Sequence, residues 1–294
     1  MIAAGSAPAL ELHRQVLEAR LEVSELVGRF DRLLAIVADI DSCVLALSGG
    51  IDSSLMLEVA SRILGSRCVA VTAESAALPA WDRADAERAG ASAESHGASW
   101  RMIATGELED PRYAANSRSR CYFCKSEVYG RLAEIARETG LACVIDGTNA
   151  TDAASSDRPG MAAAATLGVR SPLAESGLTK DDVRTLARAL GMIDWDRPSS
   201  ACLSSRIPHG VRITPELLRR VEEAELGVRG LGFSQVRVRH LGDNARVEVD
   251  RSEVDRLHAS RVGVDLVIRA AGFAAWTSAE YVGRGAGEIG DVPG

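Results

Sequence analysis

Residues Leu45–Val59 read L-A-L-S-G-G-I-D-S-S-L-M-L-E-V. An apolar run stops at two glycines, an aspartate and three hydroxyl residues, and apolar side chains then resume at helical spacing. A strand that passes through a glycine-rich turn into a helix points backbone amides, and the positive end of the helix, at an anion. Gly49 and Gly50 let a phosphate approach the backbone, and Ser48, Ser53 and Ser54 surround them with hydroxyls. The turn fits neither G-x-x-x-x-G-K-[ST] nor G-x-G-x-x-G, which argues against a Walker nucleotidase and a dinucleotide dehydrogenase.

The chain on either side of the turn sets the fold class. Short apolar runs at Val44–Leu47, Cys68–Thr72, Trp100–Ile103 and Cys143–Ile145 alternate with helical segments near Ser54–Leu64, Asp82–His96 and Lys125–Thr139. Buried strands alternating with helices predict an α/β fold with a doubly wound parallel sheet, which takes ligands at the carboxyl ends of its strands. Upstream, the apolar spacing over Leu10–Ile40 predicts one or two amphipathic helices. Asp194–Gly210 is rich in Pro, Ser and Gly and reads as a loop at a domain boundary. Thr214 then caps a helix with Pro215 at its first position, and V-R-V-R-H and A-R-V-E-V flank G-D-N as a hairpin. The expected organisation is a helical segment over 1–40, a nucleotide domain over 41–197 and a smaller α+β domain over 198–294.

Composition narrows the class. The chain has 294 residues, 46% of them hydrophobic, and a formal net charge of −7. That size supports a sizeable core and two domains, and the acidic balance disfavours bulk nucleic-acid binding. No basic start with a long apolar core, and no membrane-length apolar run, is present, so a cytoplasmic protein is expected. Six cysteines are too few for a disulfide scaffold in a chain of this length and are read as core residues, metal ligands or reactive thiols.

S-G-G-I-D-S resembles the PP-loop of the N-type ATP pyrophosphatases, an adenine nucleotide alpha-hydrolase-like domain. Three further stretches narrow the resemblance: R-C-Y-F-C-K at Arg120–Lys125, D-G-T-N-A-T-D at Asp146–Asp152 with R-P-G at Arg158–Gly160, and P-S-S-A-C-L-S-S-R-I-P-H-G at Pro198–Gly210. In this order they resemble the ATP-dependent sacrificial sulfur transferases of the LarE family. That resemblance implies ATP and magnesium held by Ser48, Gly49, Gly50, Asp52, Ser53, Ser54 and Gly147. It also implies a pyridinium mononucleotide whose carboxylates become thiocarboxylates during nickel-pincer nucleotide cofactor biosynthesis. A homo-oligomer, a hexamer by the family's habit, is expected.

Cys43, Cys68 and Cys143 lie in strand-like runs and read as small buried hydrophobes. Cys202 sits instead in a polar loop among Ser199, Ser200, Ser204 and Ser205 with Arg206 four residues on, a setting that exposes a thiol and favours its thiolate. Cys121 and Cys124 form a lone C-x-x-C, open to a zinc half-site, a redox pair, iron–sulfur ligation or plain packing at a helix start. The resemblance makes Cys202 the sulfur-bearing position and offers two routes. Either Cys202 gives up its own sulfur, or Cys121, Cys124 and Cys202 hold three irons of a 4Fe–4S cluster whose fourth iron carries sulfide.

Alternation puts Arg237 and Arg239 on one face of a strand, where forked guanidinium donors suit a phosphate. The resemblance assigns Arg237 and Arg239 to the substrate phosphate; Arg206 is a further substrate candidate, Arg212 and His209 are weaker ones, His240 lies close by in the sequence, and Glu223, Glu225 and Glu248 could help position a metal. The stretch A-A-W-T-S-A-E-Y-V-G-R-G-A-G after the second G-F departs from the family's usual ending. The rival readings are a PP-loop enzyme that thiolates tRNA, which would want a basic surface, and a non-catalytic nucleotide- or zinc-binding regulator.

Overall fold

The computed structural model describes residues 7–18, 24–155, 159–193, 195–196 and 201–282. Arg158, Ser199, Ser200 and the ending beyond Val282 lie outside the described residues. By contacts the chain divides into two compact units. The first takes in Met1–Ser75, Trp81–Thr105 and Cys121–Ser200, and the second Ala76–Ala80, Gly106–Arg120 and Ala201–Gly294. Two short stretches early in the chain therefore belong with the second unit, although hydropathy gives no sign of it.

The first unit is α/β. Its strands are β1 (Cys43–Ala46), β2 (Cys68–Glu74), β3 (Ser99–Ala104) and β4 (Cys143–Ile145), all parallel, in the order β3-β2-β1-β4. Each of the four apolar runs in the sequence forms one of them. Side chains alternate along a strand, and the strands feed two cores accordingly. Cys43, Leu45 and Leu47 of β1 and its exit join Phe30, Leu33 and Val37 of the Ser24–Ala38 helix, Leu55 and Val59 of Ile51–Leu64, and Val183 and Leu186 of Lys180–Ala189. Val44, Val71 and Val144 face the other way, onto Tyr129, Leu132 and Ala136 of the Arg120–Thr139 helix. Helices thus cover both faces of the sheet, as near-continuous apolar parallel strands require. Chain order along the sheet reverses between β1 and β4, the topological position at which parallel sheets take ligands at their carboxyl ends.

The second unit is built on a three-stranded sheet. Strands β5 (Val236–Leu241) and β6 (Asn244–Val249) are antiparallel across the Gly242–Asp243 turn, with Gly242 at φ +66°. Strand β7 (Ala275–Glu280) then pairs with β6 in parallel after a helical crossover through Val254–Ala259 and Arg261–Ala270. The A-W-T-S-A-E ending, read from sequence only as a departure, is this third strand. The Pro215–Gly230 helix lies against β5, with Thr214 Oγ1 accepting the Leu217 amide at 3.3 Å. Leu218, Val221, Ala224, Val236, Val238, Val247 and Ile268 are completely buried in this unit. Among the described residues no helix is long and apolar enough to cross a membrane.

Candidate functional site

The glycine turn leaves β1 and enters the Ile51–Leu64 helix. Ser53 folds the turn back on itself: its hydroxyl donates to Gly50 O at 2.9 Å, accepts from the Ser48 amide at 3.2 Å and lies 3.1 Å from Ser48 Oγ. No side chain caps the helix at Gly50, so its first-turn amides keep their donors for an anion. Gly49 adopts φ +77°, and a Cβ there would stand 2.1 Å from Asp82 O. At the end of β4 a Cβ on Gly147 would stand 2.6 Å from Ser53 N and Cα. Both turns at the reversal are thus glycine because the backbone of a neighbouring segment fills the space a side chain would need.

Behind Gly147 lies a network of buried hydrogen bonds. Asp146 is buried, and its carboxylate accepts from Thr148 N (3.0 Å), Thr148 Oγ1 (2.8 Å), Ser171 Oγ (2.7 Å) and Tyr129 OH (2.6 Å). Burial and the Asp146 charge push the Tyr129 phenol up to about 12, against the pull of the Lys125 ammonium. Asn149, wholly buried, donates to Asp52 Oδ1 at 2.9 Å and to Asp152 Oδ2 at 3.3 Å. Two carboxylates therefore share one amide beside the glycine turn. Burial holds the Asp52 carboxyl above the usual range, with Asp152 adding to the shift and Asn149 and Lys180 opposing it.

In the second unit Cys202 is exposed and starts the short 3-10 turn Leu203–Arg206. Arg206 lies beneath that turn, wholly buried. Its guanidinium holds Glu225 through Nε–Oε1 at 2.8 Å and Nη2–Oε2 at 3.1 Å, and Nη1 donates to Cys202 O at 2.9 Å, Ser205 Oγ at 3.0 Å and Ala201 O. The residue expected to meet substrate is instead the support of the loop that presents Cys202. Tyr113 OH meets Ser204 Oγ at 2.6 Å, and Asn116 Nδ2 donates to Ile207 O, Pro208 O and Val211 O, so the same loop is tied down from its far side.

The sheet register sets the arginines. Arg237 faces Glu248 and Arg239 faces Arg246 across β5 and β6, so all four share a face. Glu248 takes Arg239 Nε at 3.0 Å and Arg246 Nε at 3.0 Å, and Arg239 Nη1 donates to Ser205 O at 2.8 Å. Arg237 is buried, stacks 5.4 Å from the Tyr281 ring, and is pulled down to about 10 by burial and the charge of Arg206. Arg212 is exposed in the segment before the Pro215–Gly230 helix, and exposed His209 lies 3.1 Å from Asn116 O. His240 points to the opposite, core face, where burial and Arg220 lower its pKa.

The chain is 35% identical over 222 residues, 76% of its length and 79% of the relative's, to a pyridinium-3,5-bisthiocarboxylic acid mononucleotide synthase of Lactiplantibacillus plantarum. The chain belongs to the LarE family. It is also 41% identical over 231 residues to an uncharacterized protein of Synechocystis sp. (79% of this chain, 85% of the relative), and 27% identical over 207 residues to one of Methanocaldococcus jannaschii (70% and 77%). No protein-family model matches the chain.

For a LarE-family protein two inorganic groups need a fit. Asp52 and Asp152, joined through Asn149, offer the carboxylate oxygens that magnesium favours, beside the glycine turn that leaves β1. For an iron–sulfur cluster the cysteines on offer are Cys121, Cys124 and Cys202. Cys121 and Cys124 sit on the first turn of the Arg120–Thr139 helix, Cys121 exposed and Cys124 partly so, and Cys202 belongs to the other unit. Among the described residues no group of three or more His, Cys, Asp or Glu side chains is assembled to hold a metal ion. Asp146, Asn149 and Tyr129 are site residues that sequence reasoning left unassigned. The D-G-T-N stretch was the available signal, because it follows the strand that pairs with β1.

Proposed function

We propose that this protein is an ATP-dependent sulfur transferase that converts a carboxylate on a pyridinium mononucleotide into a thiocarboxylate, in nickel-pincer nucleotide cofactor biosynthesis. The observation that carries the reading is the pair of bare glycine turns, Gly49–Gly50 and Gly147, meeting at the reversal between β1 and β4 beside Asp52. In this reading the amides from Gly49 to Ser53 and the hydroxyls of Ser48 and Ser54 hold the phosphates of ATP. Asp52 and Asp152 would hold magnesium, which would supply charge neutralisation for the departing pyrophosphate.

A substrate carboxylate oxygen attacks the α-phosphorus, and pyrophosphate departs. The acyl carbon now carries AMP, a good leaving group. The thiolate of Cys202 attacks that carbon and displaces AMP, giving a thioester. Loss of the Cys202 α-proton to a base then breaks its Cβ–Sγ bond, leaving dehydroalanine on the enzyme and sulfur on the product. Arg239, Arg246 and Arg212 meet the acceptor's phosphate, and Arg206 positions the Cys202 loop. Cys202 is taken as the sulfur donor because its thiol is exposed on a loop whose backbone Arg206 holds in place. Pyrophosphate release that requires a pyridinium carboxylate mononucleotide, together with a thiocarboxylate product by mass spectrometry, tests the reading. Pyrophosphate release indifferent to the acceptor would overturn it.

A further inference from the structure

The Arg120–Thr139 helix runs back to the start of β4, so its first turns lie at the carboxyl ends of the strands, the end where the glycine turn opens. Tyr129 fixes the placement, since its hydroxyl bonds to Asp146 immediately after β4 at 2.6 Å. One turn earlier stands Lys125, with its ammonium 4.9 Å from the centre of the Tyr129 ring. Its stem is held as well: a Cβ on Gly160 would come within 3.0 Å of Lys125 Cγ.

The carboxylate nearest in this network is Asp146, and its acceptor sites are already occupied by two donors from Thr148 and one each from Ser171 and Tyr129. Lys125 makes no ion pair with any carboxylate among the described residues. A lysine held at the binding end of a parallel sheet, beside a carboxylate that other donors have saturated, gives one donor to Tyr129 and keeps its charge and remaining donors for something that arrives. An ammonium acts on phosphate as a compact point charge and needs no bidentate geometry.

We propose that Lys125 is a phosphate ligand of the nucleotide site, engaging the α-phosphate of ATP that the adenylate intermediate and AMP retain. The proposal rests on the ATP reading given above and adds a binding residue to it. Tyr129 and Asp146 position Lys125: the ring limits where the ammonium can swing, and the filled carboxylate keeps it from folding away. Phosphate chemistry could equally come from the acceptor mononucleotide, so the test separates the two sources.

The experiment compares binding of AMP, adenosine and nicotinic acid mononucleotide by calorimetry to the full-length protein and to Lys125→Met and Lys125→Arg. Lys125→Met is expected to weaken AMP by at least tenfold, about 1.4 kcal/mol. Adenosine, which lacks the phosphate, and the pyridinium mononucleotide should bind as before, and Lys125→Arg should recover part of the AMP affinity. Equal losses for AMP and adenosine, with a lowered melting midpoint, would mean a packing role and overturn the proposal. So would an undiminished AMP affinity, or a loss confined to the pyridinium mononucleotide. Wild-type protein that binds neither ATP nor AMP would overturn the ATP reading itself, a result distinct from any of these.

Discussion

Glu225 grips Arg206 through two hydrogen bonds, 2.8 and 3.1 Å long, with both side chains wholly excluded from solvent. Glu225 Oε1 also accepts the Val238 amide at 2.9 Å, so one carboxylate joins the Pro215–Gly230 helix, β5 and the Cys202 loop. Removing it leaves a buried guanidinium without its carboxylate and a buried amide without its acceptor. Glu225→Ala should therefore destabilise the protein by about 3–5 kcal/mol, read by urea denaturation. Arg206→Ala combined with Glu225→Ala should cost less than the sum of the two single changes, because the second removes a charge the first has stranded. Additive costs would mean that the pair is not a unit.

Asp52 is ionised at a cost to stability, since burial raises its carboxyl pKa. The sign follows from proton binding: between the unfolded and the raised folded pKa the native state holds more protons, so stability falls as pH rises through that window. Asp52→Asn keeps an oxygen for the Asn149 amide and removes the charge. At pH 7 the variant should melt at or above the wild-type midpoint while carboxylate-dependent pyrophosphate release disappears. A variant that melts lower and keeps its activity would remove Asp52 from the site.

Gly49→Ala should be severe for a different reason. Its Cβ would stand 2.1 Å from Asp82 O in a residue already at φ +77°, so the turn or the Ala80–Glu94 helix must move. ATP binding should fall at least tenfold, measured by calorimetry, with the second unit's loop chemistry unaffected as judged by Cys202 alkylation rate. Gly50→Ala meets only Ser48 Oγ at 3.5 Å and should be far milder.

Arg239 touches the Cys202 loop through Ser205 O and shares Glu248 with Arg246. Arg239→Ala together with Arg246→Ala should raise the acceptor concentration needed for half-maximal pyrophosphate release about tenfold or more, one charge-assisted phosphate contact being worth roughly that, and leave the requirement for ATP within twofold. Equal effects on both substrates would make the cluster structural.

The four parallel strands were legible because short, continuous apolar runs between helical segments are what a sheet covered on both faces demands. The turn from β1 into the Ile51–Leu64 helix was legible because paired glycines between an apolar run and a helical run mark such a turn. The pairing of Asp146 with Tyr129 was not, since it depends on which strand lies beside β1, and strand order is a tertiary outcome. Arg206 misled for a related reason. A polar loop suggests an exposed guanidinium, whereas Glu225, 19 residues on, draws it wholly into the interior. Strand β7 escaped notice because A-W-T-S-A-E alternates weakly, and its parallel partner β6 is reached only through a helical crossover.

The source of sulfur yields the sharpest test, because each route makes an opposite claim about the enzyme after turnover. Cys202 is exposed at the start of a 3-10 turn whose carbonyls are held by Arg206, so its thiol is presented while the backbone behind it stays fixed. If that thiol is the donor, the protein should lose about 34 Da, the mass of hydrogen sulfide, on the peptide that carries Cys202, and should turn over no more than once per chain. Cys121→Ala should then leave the single turnover intact. A cluster predicts the reverse: about four irons per chain in anaerobically prepared protein, loss of that iron in Cys121→Ala, repeated turnover with supplied sulfide, and an unchanged Cys202. Iron-loaded protein that turns over many times without loss of mass would overturn the sacrificial route.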